Sequence, residues 1–243
     1  GSYHAWDICF TISSYLLFRE MKVYTVKSIP KEQTHEWILK KHYAHRIPPI
    51  SYAFGLYRDN VLQGVCVFGQ PSYIADDMHF QDGYKMKSFE LSRLVINEGL
   101  EKNTLSFFVS HSLKLLPNPC CVVSYADTGQ GHHGYIYQAT NWVYTGLTTQ
   151  TGGYQYFFDG EYQHPRTTVA RFKTREHSEI LKRFPDIKFK KVPKKHRCFQ
   201  FIGNKKQKKE MISNLKYDIL TYPKGDNQRY DASYKPTTQA VLF

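Results

Sequence analysis

Apolar and polar positions along the chain change period repeatedly, and each change marks an element. "MKVYTVKSI" alternates and predicts a strand. From Pro30, "KEQTHEWILKKHYA" carries Trp37 and Ile38 at a spacing that predicts a short amphipathic helix, stopped by Pro48-Pro49. "SYAFGLYRDNVLQGVCVFGQP" is two alternating runs around Arg58-Asp59-Asn60, a hairpin signature. "SFELSRLVIN" reads as a further strand. "TLSFFVSHSLKLL" repeats apolar residues at helical spacing behind an N-cap at Asn103 or Thr104. "PCCVVSYAD" is nearly all apolar, the pattern of a strand buried on both faces. "TGQGHHG" leads into the helix "YIYQATNW", and "VYTGLT" is a strand. "YQYFFDGEYQHPR" is a hairpin around Asp159-Gly160, and "HRCFQFIG" is another strand.

Strand, helix, strand, helix, strand through the middle predicts an α/β or α+β domain with a mixed central sheet flanked by helices. Residues 1–20 read as an upstream segment, with Gly1-Ser2 resembling an expression scar and Met21 a native start. Residues 21–222 read as one domain and 223–243 as a tail. No stretch reaches about 18 apolar residues, and no basic leader with a cleavage site is visible, so a soluble protein is expected.

Composition sharpens this picture in two ways. The 243 residues hold 33 Lys+Arg against 21 Asp+Glu, a net charge of +12, which favours phosphate polyanions as partners. Twelve of the cations fall between Lys182 and Lys209 with a single acid, Asp186, and with Phe184, Phe189, Phe199 and Phe201 interleaved. This basic C-terminal extension predicts a nucleic-acid footprint, with phosphate contact through Lys190, Lys191, Lys194, Lys195, Arg197, Lys205 and Lys206 and the aromatics turned inward. The competing reading is a solvated face. The five cysteines, Cys9, Cys66, Cys120, Cys121 and Cys198, form no CxxC pair, and their odd number argues for a reducing cytoplasm.

Several groups could carry chemistry. Gly129-Gln130-Gly131-His132-His133-Gly134 fits GxGxxG, but no acidic residue closes a following strand about twenty residues on, so a dinucleotide fold is rejected. The glycines instead let the backbone turn and bring a ligand to a helix N-terminus. Asp127 ends its strand where α/β proteins bind ligands, as a general base or as an ordinary cap. Tyr135 and Tyr137 follow on the helix, where packing is the commoner role. Arg93 inside an apolar strand requires a partner or a ligand. His42 and His45 could ligate a metal, yet no third ligand is recognisable, and His132-His133 is no better spaced. Cys120 and Cys121 sit in an apolar run and read as core.

The order "FELSRLVI", "TLSFFVSHSLKLL", "CCVVSYAD", "GHHGYIYQATNW", "VYTGLT" resembles the core of the GNAT acyltransferase superfamily, with Tyr137 at that superfamily's late-helix tyrosine. "KHYAHRIP", "ELSRL" and "SYADTGQGHHGYIYQATNWVYTG" are similar to the Mom family of bacteriophage DNA adenine-modifying proteins, from about Met21 to residue 220. The resemblance implies conversion of adenine in DNA to an N6-carbamoylmethyl derivative that shields DNA from restriction. It carries important roles onto His42, Tyr43, Arg93, Asp127 and Tyr137, with Ser110 or Ser112 and Ser124 as weaker matches. It also raises iron as a cofactor. With Gly129, Gly131 and Gly134, Ser110 and Ser124 form the expected cofactor-binding set.

After Arg93, however, "NEGLEKNT" lacks the glycine-rich loop by which GNAT enzymes hold the pyrophosphate of coenzyme A. The donor is therefore left open between acetyl-CoA and an activated glycine such as glycyl-tRNA. In the expected mechanism Asp127 takes a proton from the amine, Tyr137 protonates the leaving group and Arg93 stabilises negative charge. A conventional N-acetyltransferase and a non-catalytic DNA-binding protein are the rival readings, and the oligomeric state is open.

Overall fold

The structure, a computed structural model, describes residues 23–71, 79–148, 153–163, 165–225 and 233–236. The upstream segment 1–20 and most of the tail lie outside the described residues. The architecture is the expected α/β one, a central mixed sheet flanked by helices. Its seven strands run in the order β1 (Tyr24–Ser28), β2 (Tyr52–Arg58), β3 (Val61–Gly69), β4 (Ser88–Ile96), β5 (Cys120–Asp127), β10 (Lys195–Ile202), β6 (Val143–Leu147). Neighbours are antiparallel except β4 and β5, which run parallel and are joined by helix α1 (Thr104–Lys114). The β2–β3 turn uses Asp59 and Asn60, both at positive φ, the residue types that tolerate the left-handed turn matching strand twist.

The apolar run of β5 is explained by what covers it. Cys120, Val122 and Ala126 face one core with α1 and with Tyr137 and Trp142 of the following segment. Cys121 and Val123 face another, with Phe199, Phe201 and Met211. Alternate residues thus meet different apolar layers, and no face is left for water. Met211 lies on α5 (Lys205–Ser213), which starts at a capping box: Asn204 accepts from the Gln207 backbone and the Gln207 side chain accepts from the Asn204 backbone. A third cluster, Trp37 and Ile38 with Tyr57, Val65 and Val95, covers β2–β4 on the face opposite α1.

Trp37 and Ile38 do not lie on the regular helix expected after Pro30. A 3₁₀ turn, Lys31–Thr34, leads into a widened π turn, Trp37–Lys41, closed by the His42 N–H on the Trp37 carbonyl at 3.0 Å. The chain is extended at His42, before the two prolines. Widened turns recur at functional sites because they re-aim one side chain.

The basic segment is not an appendage. Its strand β10 is inserted between β5 and β6, and the described residues between β6 and β10 form a small aromatic lobe. There β7 (Tyr154–Phe158) pairs with β8 (Glu161–Tyr162) and β9 (Phe189–Lys191), and α3 (Pro165–Phe172) and α4 (His177–Arg183) pack around Tyr156, Phe172 and Ile180. The interleaved aromatics divide: Phe199 and Phe201 are buried, whereas Phe184 and Phe189 are exposed, against the expectation that all turn inward. Among the described residues, no helix is long and apolar enough to cross a membrane.

Two buried histidines make acid a denaturant. Burial pushes His42 down to about 3 and His79 down to about 4. Both stay neutral in the fold, while the unfolded chain binds protons below about pH 6.5. Stability is therefore fully present above about pH 6.5 and is lost as pH falls toward the folded values of about 4 and 3. At the acid limit each histidine costs the fold roughly 3–5 kcal/mol, since a tenfold difference in proton affinity is worth about 1.4 kcal/mol. Urea midpoints are expected to drop steadily below about pH 6.5; a midpoint unchanged down to about pH 4 would contradict this burial.

Candidate active site

Strands β4 and β5 pair over only three residues, Ser88–Glu90 against Cys121–Val123. Their later halves are not paired to each other. A register shift in the β3–β4 ladder, between partners Leu91 and Arg93, marks where β4 changes course. The last parallel-side link is a side-chain one, the Ser124 hydroxyl donating to the Leu91 carbonyl at 2.8 Å. Beyond it the carboxyl ends of the two parallel strands separate, the position at which α/β sheets receive ligands.

Three chain segments converge on this opening. From β5 comes Asp127, whose carboxylate accepts the Gly129 N–H at 2.8 Å and so caps the 3₁₀ turn Thr128–Gln130. From helix α2 (Tyr135–Ala139) comes Tyr137, buried, its hydroxyl 2.7 Å from the Ser124 Oγ. Ser124 donates its own proton to Leu91, so the phenol is the donor in this pair. Burial pushes the Tyr137 phenol up, well beyond an ordinary tyrosine. From the π turn come His42 and Tyr43, with rings stacked at 4.4 Å.

Tyr43 is the hub. Burial raises its phenol, the Asp127 carboxylate adds to the rise and Arg93 opposes it. Tyr43 also acts electrostatically on Tyr137, and its ring meets His132 edge-on at 5.5 Å. Asp127 and Tyr137 are therefore linked through one aromatic side chain, and Tyr43 is the phenol within electrostatic reach of the carboxylate. The buried His42 accepts the Ala44 N–H on Nδ1 at 3.1 Å, which leaves its proton on Nε2.

Arg93 has found protein partners. Its Nε and one terminal nitrogen donate to the Arg46 carbonyl at 3.3 and 3.1 Å, and the other donates to the Ser92 carbonyl at 2.6 Å. Its guanidinium thus ties the loop after Tyr43 onto β4, a positioning task in place of the expected direct contact with developing negative charge.

Three amides of the glycine loop are used internally. Gly129 donates to Asp127, Gly131 to the Thr128 carbonyl and His132 to the Asp127 carbonyl. These bonds fold the segment into a turn ahead of α2. Gly129 is required by close approach: a Cβ there would sit 2.7 Å from Pro193. Gly134 starts α2 at φ +76°, where L side chains are strained. Ser110 is half-buried on α1, while Ser112 is buried beside the Cys66 thiol.

The cationic residues separate into two groups. Lys195 pairs with Asp127 across the sheet, and Thr128 donates to the Lys194 carbonyl at 2.5 Å, so Lys190, Lys191, Lys194 and Lys195 lie at the Asp127 end. Ile202 pairs with Cys120 at the other end, so Lys205 and Lys206 on α5 lie a strand length away, roughly 25 Å at about 3.3 Å per residue. Arg197 is a correction. It is only 7% exposed, its guanidinium donates to the Thr145 Oγ and carbonyl, and it packs over the Tyr217 ring at 3.4 Å. A buried cation saturated by these partners is a structural one, not a phosphate contact.

Cys120 and Cys121 are buried thiols pushed up by desolvation, Cys120 to about 11, as core residues should be. His45 has its Nδ1 on the Leu39 carbonyl at 2.8 Å. No group of three His, Cys, Asp or Glu side chains among the described residues could hold a metal ion. One contact had no signal in the sequence: the buried Lys41 ammonium donates to the Tyr234 carbonyl at 2.7 Å, and the Tyr234 hydroxyl donates to Glu36 at 2.8 Å. The tail thus grips the turn that presents His42 and Tyr43.

Among solved structures, an acetyltransferase from Bacillus subtilis in complex with CoA is similar at a TM-score of 0.40 and 11% identity, over 74% of this chain and 99% of that one. An acetyltransferase from Salmonella typhimurium with its cofactor acetyl-CoA gives 0.40 and 9%, over 73% and 93%. At such scores neither donor nor substrate carries across. The methylcarbamoylase mom of Escherichia phage Mu is 26% identical over 216 residues, 83% of this chain and 86% of that protein. Residues 23–224 match the Mom protein family. The chain belongs to the Mom protein family.

Proposed function

We propose that this Mom-family transferase attaches a carbamoylmethyl (acetamido) group to the exocyclic N6 of adenine in phage DNA, and so shields that DNA from restriction nucleases. What supports the reading is that Tyr43, stacked on His42, lies within electrostatic range of both Asp127 and Tyr137, residues drawn from distant segments of the chain. The phage Mu relative, named a methylcarbamoylase, supports the type of group transferred.

The adenine amine is a weak nucleophile because its lone pair is delocalised into the ring. A base must take its proton as the new bond forms, and the Asp127 carboxylate is that base. Tyr137, kept protonated by burial, is the proton source for the leaving group, with Ser124 holding its hydroxyl. Arg93 fixes the Tyr43 loop and adds positive charge behind the site. Inside a duplex the amine is blocked by pairing, so the base is flipped out, at a cost of a few kcal/mol that the Lys190–Lys195 contacts offset.

The donor is an activated acyl group, with acetyl-CoA and glycyl-tRNA the two candidates. The β4–α1 connection, with its single glycine, favours glycyl-tRNA because nothing there resembles a pyrophosphate cradle. N6 acylation by the glycyl group releases the 3′-hydroxyl of the tRNA; the glycyl amine then attacks ring carbon 6, the original C6–N6 bond breaks with that nitrogen leaving as the carboxamide, and carbon 6 is left carrying NH–CH2–CO–NH2. Iron finds no three-ligand set among the described residues. Nucleoside mass spectrometry of DNA from expressing cells fed isotope-labelled glycine tests both levels. The expected result is a labelled, carbamoylmethylated deoxyadenosine. An unlabelled product would remove glycine as donor, and unaltered adenosine would remove the function.

A further inference from the structure

Apart from Lys190 and Lys191 of β9, the aromatic lobe between β6 and β10 plays no part in the reading above, yet it contains a groove of about 590 Å³. It is lined by Phe157, Phe172, Phe184, Arg171, Arg183 and Asp186 among others. Phe157 and Phe184 are each 40% exposed, an unusual cost for large apolar rings in a lobe this small. Phe172 and Phe184 lie with ring centroids 5.0 Å apart, and Arg183 packs over the Phe184 ring at 5.6 Å. Arg183 also donates to the Phe172 carbonyl at 2.8 Å and approaches Glu179 at 3.7 Å, so it is held along the groove wall.

Flat apolar faces, cations and one carboxylate together suit a particular ligand. A nucleobase stacks on phenyl rings, its phosphates lie against guanidinium groups, and its ring or exocyclic N–H donates to a carboxylate. A purely apolar partner would leave Arg171 and Asp186 facing it unmatched, and a double helix cannot offer a base face to the rings. The groove volume lies within the ordinary range for small-ligand sites, roughly 300–1,000 Å³, enough for one nucleotide. The lobe returns to the main sheet through Pro193 and Lys194, packed on the turn behind Asp127, so a strand held there continues toward the site across Lys190 and Lys191.

We propose that this groove captures one unpaired nucleotide of the DNA substrate, an inference that rests on the reading of the protein as a DNA-modifying enzyme. It assigns the lobe a task that duplex contact alone does not require: holding a strand unstacked while the adenine is out of the helix.

Binding of fluorescein-labelled single-stranded and duplex oligodeoxynucleotides to the full chain tests it. Arg171→Ala combined with Phe184→Ala is expected to weaken single-strand binding about tenfold, the loss of one stacked base. Duplex binding, carried by Lys190, Lys191 and Lys194, stays unchanged. Arg171→Ala alone removes an exposed side chain without touching the lobe's core and is expected to shift single-strand affinity in the same direction. Wild-type affinity in both variants overturns the proposal, as does tighter binding of single-stranded RNA than of DNA of the same sequence. Failure here is separable from failure of the enzymatic reading. A wild-type protein that modifies adenine while the groove variants bind normally removes only the groove. Groove-dependent binding without any altered adenosine removes only the modification.

Discussion

Asp127→Asn is expected to lower adenine modification by about 10²–10⁴-fold, the range that positioned acid–base catalysis supplies. Asparagine is the informative change because it retains a side-chain oxygen that can accept the Gly129 N–H at the cap. What disappears is the negative charge and the capacity to take a proton. Asp127→Ala would also remove the cap, which is worth about 1 kcal/mol, and so would mix folding with chemistry. The readout is carbamoylmethylated deoxyadenosine in DNA from expressing cells, with the thermal midpoint and salt-dependent DNA affinity measured alongside. Unchanged modification would take Asp127 out of the chemistry and leave it as a cap alone. Loss of modification together with loss of cooperative unfolding would assign it a structural task.

The second large effect concerns charge. Replacing Lys190, Lys191 and Lys194 by glutamine is expected to flatten the dependence of log affinity on log salt by roughly 2–3, at about 0.9 per phosphate contact. Modification should fall with it. The matched triple at Lys205, Lys206 and Lys208 removes the same charge from the opposite end of β10. It is expected to leave the salt slope and modification close to wild type. Net charge is equal in the two triples, so a difference between them reports position. Equal losses would mean that DNA is met by a diffuse field, and the division of the cations into a site group and a remote group would not hold.

Much of this arrangement is legible in the chain. The β2–β3 and β7–β8 hairpins are readable because the strand runs and the turn chemistry agree: Asp59-Asn60 and Asp159-Gly160 both adopt the positive φ that their residue types tolerate. Asp127 and Arg93 stand out because a charge at the end of, or within, an apolar strand demands an explanation. The insertion of β10 between β5 and β6 is not readable, since alternation identifies a strand but not its neighbours. The pairing of Phe189–Lys191 with β7 escapes for a related reason: three residues are too few to show a period. Tyr43 as hub cannot be seen because its neighbours are brought together by the sheet and not by sequence spacing. Arg197 misleads because it follows a run of exposed lysines, yet it faces Thr145 and Tyr217 inside the fold.

The grip of Tyr234 on Lys41 and Glu36 joins the two ends of the described chain. During synthesis, every residue argued to take part in the chemistry leaves the ribosome well before Tyr234 does. Until that last stretch emerges, the turn holding His42 and Tyr43 lacks the bracing that Tyr234 gives it through Lys41 and Glu36. A nascent or prematurely terminated polypeptide would therefore carry a complete set of reactive groups in an unfinished frame.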